Sequence, residues 1–167
     1  MRLSWKAVLA AAVCMAIAIP AIAGPTSFIG IYADPYHYDM DAVLTDLYQQ
    51  FTTWTWVLPS DDGIMCAEFS TSAPHTVITI GIFINPEHSV SLGDPTTGIS
   101  ICFPECRTDW TWMSQSTYLS LGIDYDWIIP GPHPDTGEMR VATCEPGYPI
   151  APMYVYNWFG INQYAGG

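Results

Sequence analysis

Phe51-Thr52-Thr53-Trp54-Thr55-Trp56-Val57-Leu58-Pro59-Ser60-Asp61-Asp62-Gly63 reads as a strand followed by the turn that ends it. Trp54, Trp56 and Leu58 fall on one face and Thr53, Thr55 and Val57 on the other, the period of two that a pleated strand imposes. Residues 59–63 are turn chemistry, so the chain runs back as a second strand over residues 64–70.

Working outward, residues 28–33 form a β-prone run that stops at Asp34-Pro35. Residues 76–84 are apolar and β-branched without alternation, which predicts a central strand buried on both faces. Further strands are expected at 89–92, 99–103, 117–121, 125–129, 138–144 and 153–158, with Gly93-Asp94-Pro95, residues 131–137 and Glu145-Pro146-Gly147 as turns between them. Many short strands at this spacing predict an all-β, antiparallel Greek-key sandwich. One segment departs from the pattern: Val43, Leu44, Leu47, Tyr48 and Phe51 have helical spacing, and Asp39 or Asp41 could cap it. A short helix near residues 40–50 and an irregular loop both fit.

At the N-terminus Arg2 and Lys6 precede an unbroken apolar run over residues 7–19, which breaks at Pro20 and continues Ala21-Ile22-Ala23-Gly24. This is the layout of a cleavable signal peptide over residues 1–23, with the mature chain starting at Gly24. The run is short of the about 20 residues that cross a bilayer, and no later stretch is long enough. Cys14 lies inside the apolar run behind Val13, which does not suit lipid attachment. The reading places the protein outside the cytoplasm: secreted, periplasmic or at the cell surface. Residues 24–167 then suit one domain with one core.

Without the signal, two Arg stand against sixteen Asp and Glu, a net charge of −14 with His neutral. Such a surface repels nucleic acid and attracts cations. Residues 24–167 contain no Lys, which fits a saline habitat or simply family history.

Four cysteines remain: Cys66, Cys102, Cys106 and Cys144. An even number in an exported domain predicts two disulfides, and zinc would need a second pair of ligands that the sequence lacks. Three connectivities are open. Residues four apart in an extended chain have Cα atoms about 13 Å from each other, so a Cys102–Cys106 bridge requires a sharp turn at Pro104. With that turn, Cys66 pairs with Cys144, and this pairing is slightly favoured.

Asp34, Asp39 and Asp41, with Asp46 nearby, are the densest carboxylates and offer a calcium site, although the spacing is not that of an EF-hand and a solvated acidic loop is the favoured account. Sixteen acidic residues guarantee that some pair sits at a glycosidase-like separation, so number alone does not argue for hydrolysis. His37, His75, His88 and His133 form no metalloprotease pattern, and no Gly-x-Ser-x-Gly elbow occurs. The tryptophans carry more signal. Trp54 with Trp56, and Trp110 with Trp112, are same-face pairs that could stack on sugar rings or fill a sandwich core. Trp110 and Trp112, among Arg107, Asp109, Thr111 and Gln115, are the better surface pair.

The run Phe28-Ile29-Gly30-Ile31-Tyr32-Ala33-Asp34-Pro35, the Gly63-x-x-x-Ala67-Glu68-Phe69 strand and residues 132–144 together resemble a group of uncharacterised exported bacterial proteins. The resemblance implies a cohesin-like or immunoglobulin-like sandwich and brings no catalytic residue. The resulting expectation is a non-catalytic binding or structural module whose partner is another extracellular protein or a glycan. Its rivals are a carbohydrate-binding module and a small hydrolase with a carboxylate pair. The cysteine reading predicts that the denatured, unreduced mature protein has no thiol that reacts with a thiol-specific dye, and two or more reactive thiols would refute it.

Overall fold

A computed structural model describes residues 26–163; the signal peptide read at residues 1–23 lies outside them. The described chain forms β1 (Ser27–Tyr32), β2 (Asp41–Ala42), β3 (Gln50–Leu58), β4 (Ile64–Ser72), β5 (Val77–Ile84), β6 (Val90–Asp94), β7 (Gly98–Arg107), β8 (Thr111–Ser120), β9 (Asp126–Gly131), β10 (Arg140–Thr143), β11 (Ile150–Val155) and β12 (Phe159–Ile161). It is an all-β sandwich. One layer is β11-β1-β3-β8-β5 and the other is β6-β7-β4-β10, with β11 pairing into both. The end of β4 turns away to pair with β9, which carries β12 and then β2. Pairing is antiparallel except for β1 with β11 and β2 with β12.

The alternation of each strand decides what fills the space between layers. Ile29 of β1, Val57 of β3 and Met113 of β8 meet Ala67 and Phe69 of β4, Ile99, Ile101 and Phe103 of β7, and Val141 of β10. A second cluster joins Ile31, Val77 and Tyr118 to Ile128, Phe159 and Ile161 under β9 and β12. On β3 it is Thr53, Thr55 and Val57 that face inward, while Trp54, Trp56 and Leu58 lie half-buried on the outer face. Burial favours this choice because the neighbouring inner positions, Ser114 and Ser116 of β8, are small and fully covered.

Three expectations are corrected. No helix forms near residues 40–50, because the backbone there bonds across to β12 instead of along itself. Gly160 N–H donates to Met40 C=O, Asn162 N–H to Ala42 C=O, and Leu44 N–H to Asn162 Oδ1 at 2.6 Å. Leu44 alone of that apolar set is fully buried; Val43, Leu47 and Tyr48 are exposed. Second, β5 is not central: it ends its layer, pairs with β8 only, and leaves most of its apolar side chains exposed. An uninterrupted apolar run thus marks an edge here.

Third, the disulfides are Cys66–Cys102 and Cys106–Cys144, not Cys66–Cys144 and Cys102–Cys106. Strand β7 continues through Pro104 to Arg107 without a reversing turn, and bulges against β4 so that Cys102 lies opposite Cys66 and Arg107 opposite Ile64. Pairing of β4 with β7 sets Cys66 directly opposite Cys102, with Cα atoms 4.0 Å apart. Two bridges fit an oxidising compartment.

Gly63 closes the turn between β3 and β4 at φ +68°, where an added Cβ would lie 2.6 Å from Cys106 Sγ and 2.9 Å from Arg107 C=O. Gly63→Ala is therefore expected to destabilise the protein by about 1–3 kcal/mol in denaturant unfolding, and to make Cys106–Cys144 the bridge more quickly reduced, read by timed alkylation and peptide mass.

Candidate functional site

The outer face of the β6-β7-β4-β10 layer is built by register. Leu92 of β6 sits opposite Ser100 of β7, Ser100 opposite Glu68 of β4, Glu68 opposite Arg140 of β10, and Arg140 opposite Pro152 of β11. A second row beside it runs Val90, Cys102, Cys66, Ala142 and Ile150. Two rows of five side chains thus cross five strands on one face. Because each strand turns its alternate residues inward to the core, this face can carry polar and apolar groups without loss of packing.

The first row is a polar ladder. Ser100 Oγ donates to Glu68 Oε1 at 3.0 Å, and Arg140 Nε donates to Glu68 Oε2. Burial opposes the charged form of Glu68, but the bonds from Arg140 and Ser100 and the nearby positive charge outweigh it and hold the carboxyl below its ordinary value of 4.5. Glu68 is thus committed as an acceptor at neutral pH and is not poised to take a proton. The second row is apolar, pinned at its centre by the Cys66–Cys102 disulfide. Leu92 is 67% exposed, Ile150 61% and Val90 49%.

Three shallow hollows open on this face. One of about 220 Å³ lies over the disulfide between Glu68, Arg140 and Ile150. A second, of about 510 Å³, extends past Ile150 to Glu138 and Tyr154. The third, of about 390 Å³, reaches from Glu68 and Leu92 to His133 and Asp135. Glu138 and Asp135 put negative charge at the rim, and Arg140, the one cation on the face, is held by Glu68. Arg107 is likewise held, by Glu87 at 2.9 Å, with its guanidinium 4.8 Å from the Phe103 ring centroid.

The sequence-derived candidates lie elsewhere. Trp54 and Trp112 meet across β3 and β8 with ring centroids 5.3 Å apart at 70°, and Trp112 stacks on Phe83 of β5 at 6.1 Å. Trp110 stacks on His37 at 4.6 Å, and Trp56 lies 5.0 Å from the same imidazole. The four rings are therefore paired across strands, Trp54 with Trp112 and Trp56 with Trp110 through His37, rather than along them. All four are half-buried. Asp34 accepts backbone N–H bonds from Tyr36 at 2.6 Å, Tyr38 at 3.0 Å and Asp39 at 2.6 Å, which folds the 34–40 loop down so that His37 reaches the tryptophans. Asp41 Oδ1 instead accepts from Gln163 N–H. Among the described residues no group of three or more His, Cys, Asp or Glu converges as a metal site would. Sequence reasoning missed Glu68, Ser100, Arg140, Leu92 and Ile150, because their proximity rests on a five-strand register that no local pattern encodes.

No model of a known protein family matches the chain, and no curated protein is significantly similar to it. Solved structures with a similar fold include a non-cellulosomal cohesin from the hyperthermophilic archaeon Archaeoglobus fulgidus, 7% identical, with a TM-score of 0.53 over 81% of this chain and 90% of that chain. Another is the sixth cohesin of scaffoldin B from Acetivibrio cellulolyticus, solved in complex with a Cel5 dockerin mutant, 10% identical, with a TM-score of 0.52 over 80% of this chain and 95% of that chain. At these identities the likeness establishes the cohesin-type sandwich fold.

Since the folded carboxyl of Glu68 lies below its unfolded value, its stabilising contribution is full above that unfolded value and is lost as pH falls through the folded one. Lowering pH from about 5 toward 2 is expected to depress the melting temperature less in Glu68→Gln than in the parent, as followed by calorimetry.

Proposed function

We propose that this protein is a secreted, non-catalytic interaction module that docks another extracellular protein on the outer face of β6, β7, β4 and β10. The carrying observation is the two-row face itself: a disulfide-pinned apolar row whose ends, Val90 and Ile150, stand exposed beside a self-neutralised Ser100–Glu68–Arg140 ladder. Exposed apolar anchors beside satisfied polar groups are what protein interfaces use. Similarity to a cohesin solved with a dockerin supports the reading at the level of fold. The signal-peptide pattern at residues 1–23 and the two disulfides support secretion. With both described arginines held in ion pairs, the complementary partner surface is basic around an apolar centre.

The test is capture from the extracellular proteins of the source organism, with immobilised parent and the Leu92→Asp, Ile150→Asp double variant compared by mass spectrometry. A partner retained by the parent and bound at least about tenfold more weakly by the double variant is the expected result. A saturable tryptophan-fluorescence shift with a soluble polysaccharide, abolished by Trp112→Ala, would overturn it in favour of glycan binding.

A further inference from the structure

We infer that the protein self-associates through β5, whose free edge pairs antiparallel with β5 of a second copy about a two-fold axis at Ile82. The edge is open: β5 closes its layer and bonds to β8 alone among the described residues. It holds no Lys, no other charged side chain and no Pro, the residues that commonly blunt an exposed edge. A single bulge at Ile80, between Thr79 and Gly81, leaves residues 81–84 in straight register.

The occupant is specified by two further observations. Residues 69–86 carry no Asp, Glu, Lys or Arg, and neither does β8 beside them, so this end of the layer is a neutral zone on a strongly acidic chain. Two copies that repel elsewhere can meet there at least cost. The edge is also complementary to itself. Gly81 and Phe83 share the outer face, because they lie opposite Thr117 and Gln115. Above Gly81 there is room: the nearest atom to an added Cβ would be that of Thr117 at 3.7 Å. Phe83 is 55% exposed. Pairing about Ile82 sets Phe83 of each copy opposite Gly81 of the other, where the ring covers the bare backbone, an arrangement known to rescue glycine in strands. The contact is isologous, so it closes at two copies. It also continues the Trp54–Trp112–Phe83 layer from one copy into the next.

The seam is short and belongs to the weak class of interfaces, which bury under about 1,200 Å². Sedimentation equilibrium of the disulfide-intact protein, from micromolar to millimolar, is expected to show the average mass rising toward twice the monomer. Association should tighten with added salt, because screening relieves repulsion between like-charged copies. Phe83→Thr should weaken it by about tenfold, and Phe83→Asp should abolish it with the circular dichroism spectrum unchanged. Leu92→Asp, on the other layer, should leave it intact. A monomer at every concentration, or a dimer that survives Phe83→Asp, overturns the inference; a dimer lost in Leu92→Asp assigns self-association to the docking face instead.

Discussion

The register of β4 is the constraint on which the rest of the molecule depends. It pairs with β7 on one side and β10 on the other before turning into β9, so its alternation is imposed on three neighbours. With Ala67 and Phe69 inward, Cys66 and Glu68 must point outward, and the strands beside them deliver Cys102, Ser100, Ala142 and Arg140 to the same face. A one-residue slip of β4 would exchange its two sets and bury the Glu68 carboxylate in a space filled by Ile99, Ile101 and Val141. The Cys66–Cys102 bridge locks the register covalently, and the Glu68–Arg140 pair rewards it electrostatically.

Local alternation made β3 and β4 legible, and turn residues located most of the other strands. What the sequence left open was neighbour relations. Residues 76–84 look the same whether a strand has two neighbours or one, because an apolar run records the absence of charge and not the presence of cover. The cysteines illustrate the same limit. Separation along the chain ranks bridges only when the path between is known, and the continuation of β7 past Pro104 without a reversing turn overturned the ranking. At residues 40–50 the helical spacing was real, yet Asn162 supplied a side-chain acceptor to Leu44 and, with its Nδ2 donating to Ile123 C=O, tied that segment to a loop far along the chain.

The two layers turn different chemistry outward. On β3 and β8 the tryptophans lie outside while Thr53, Thr55, Ser114 and Ser116 are covered beneath them. Tyr32 shares in this outer packing: burial first, and the neighbouring Tyr156 and Asp34 next, push its phenol up to about 12, so the ring stays neutral against the Trp110 edge. The aromatic layer is thus largely satisfied by its own contacts and by the 34–40 loop, whereas the face over the disulfide keeps its aliphatic groups uncovered.

Arg107 and Arg140 are the only Arg or Lys in residues 24–167, and both are clamped by a carboxylate. A trypsin-like protease has to draw one of them into its own acidic pocket and straighten the chain around it. At Arg140 that means parting the guanidinium from Glu68 and peeling β10 off β4; at Arg107 it means lifting the side chain from Phe103 at the end of a strand whose Cys106 is bridged to Cys144. Those two bonds are all that such an enzyme could cut between residues 24 and 167, so in surroundings rich in secreted proteases of that specificity the folded chain offers almost nothing to digest.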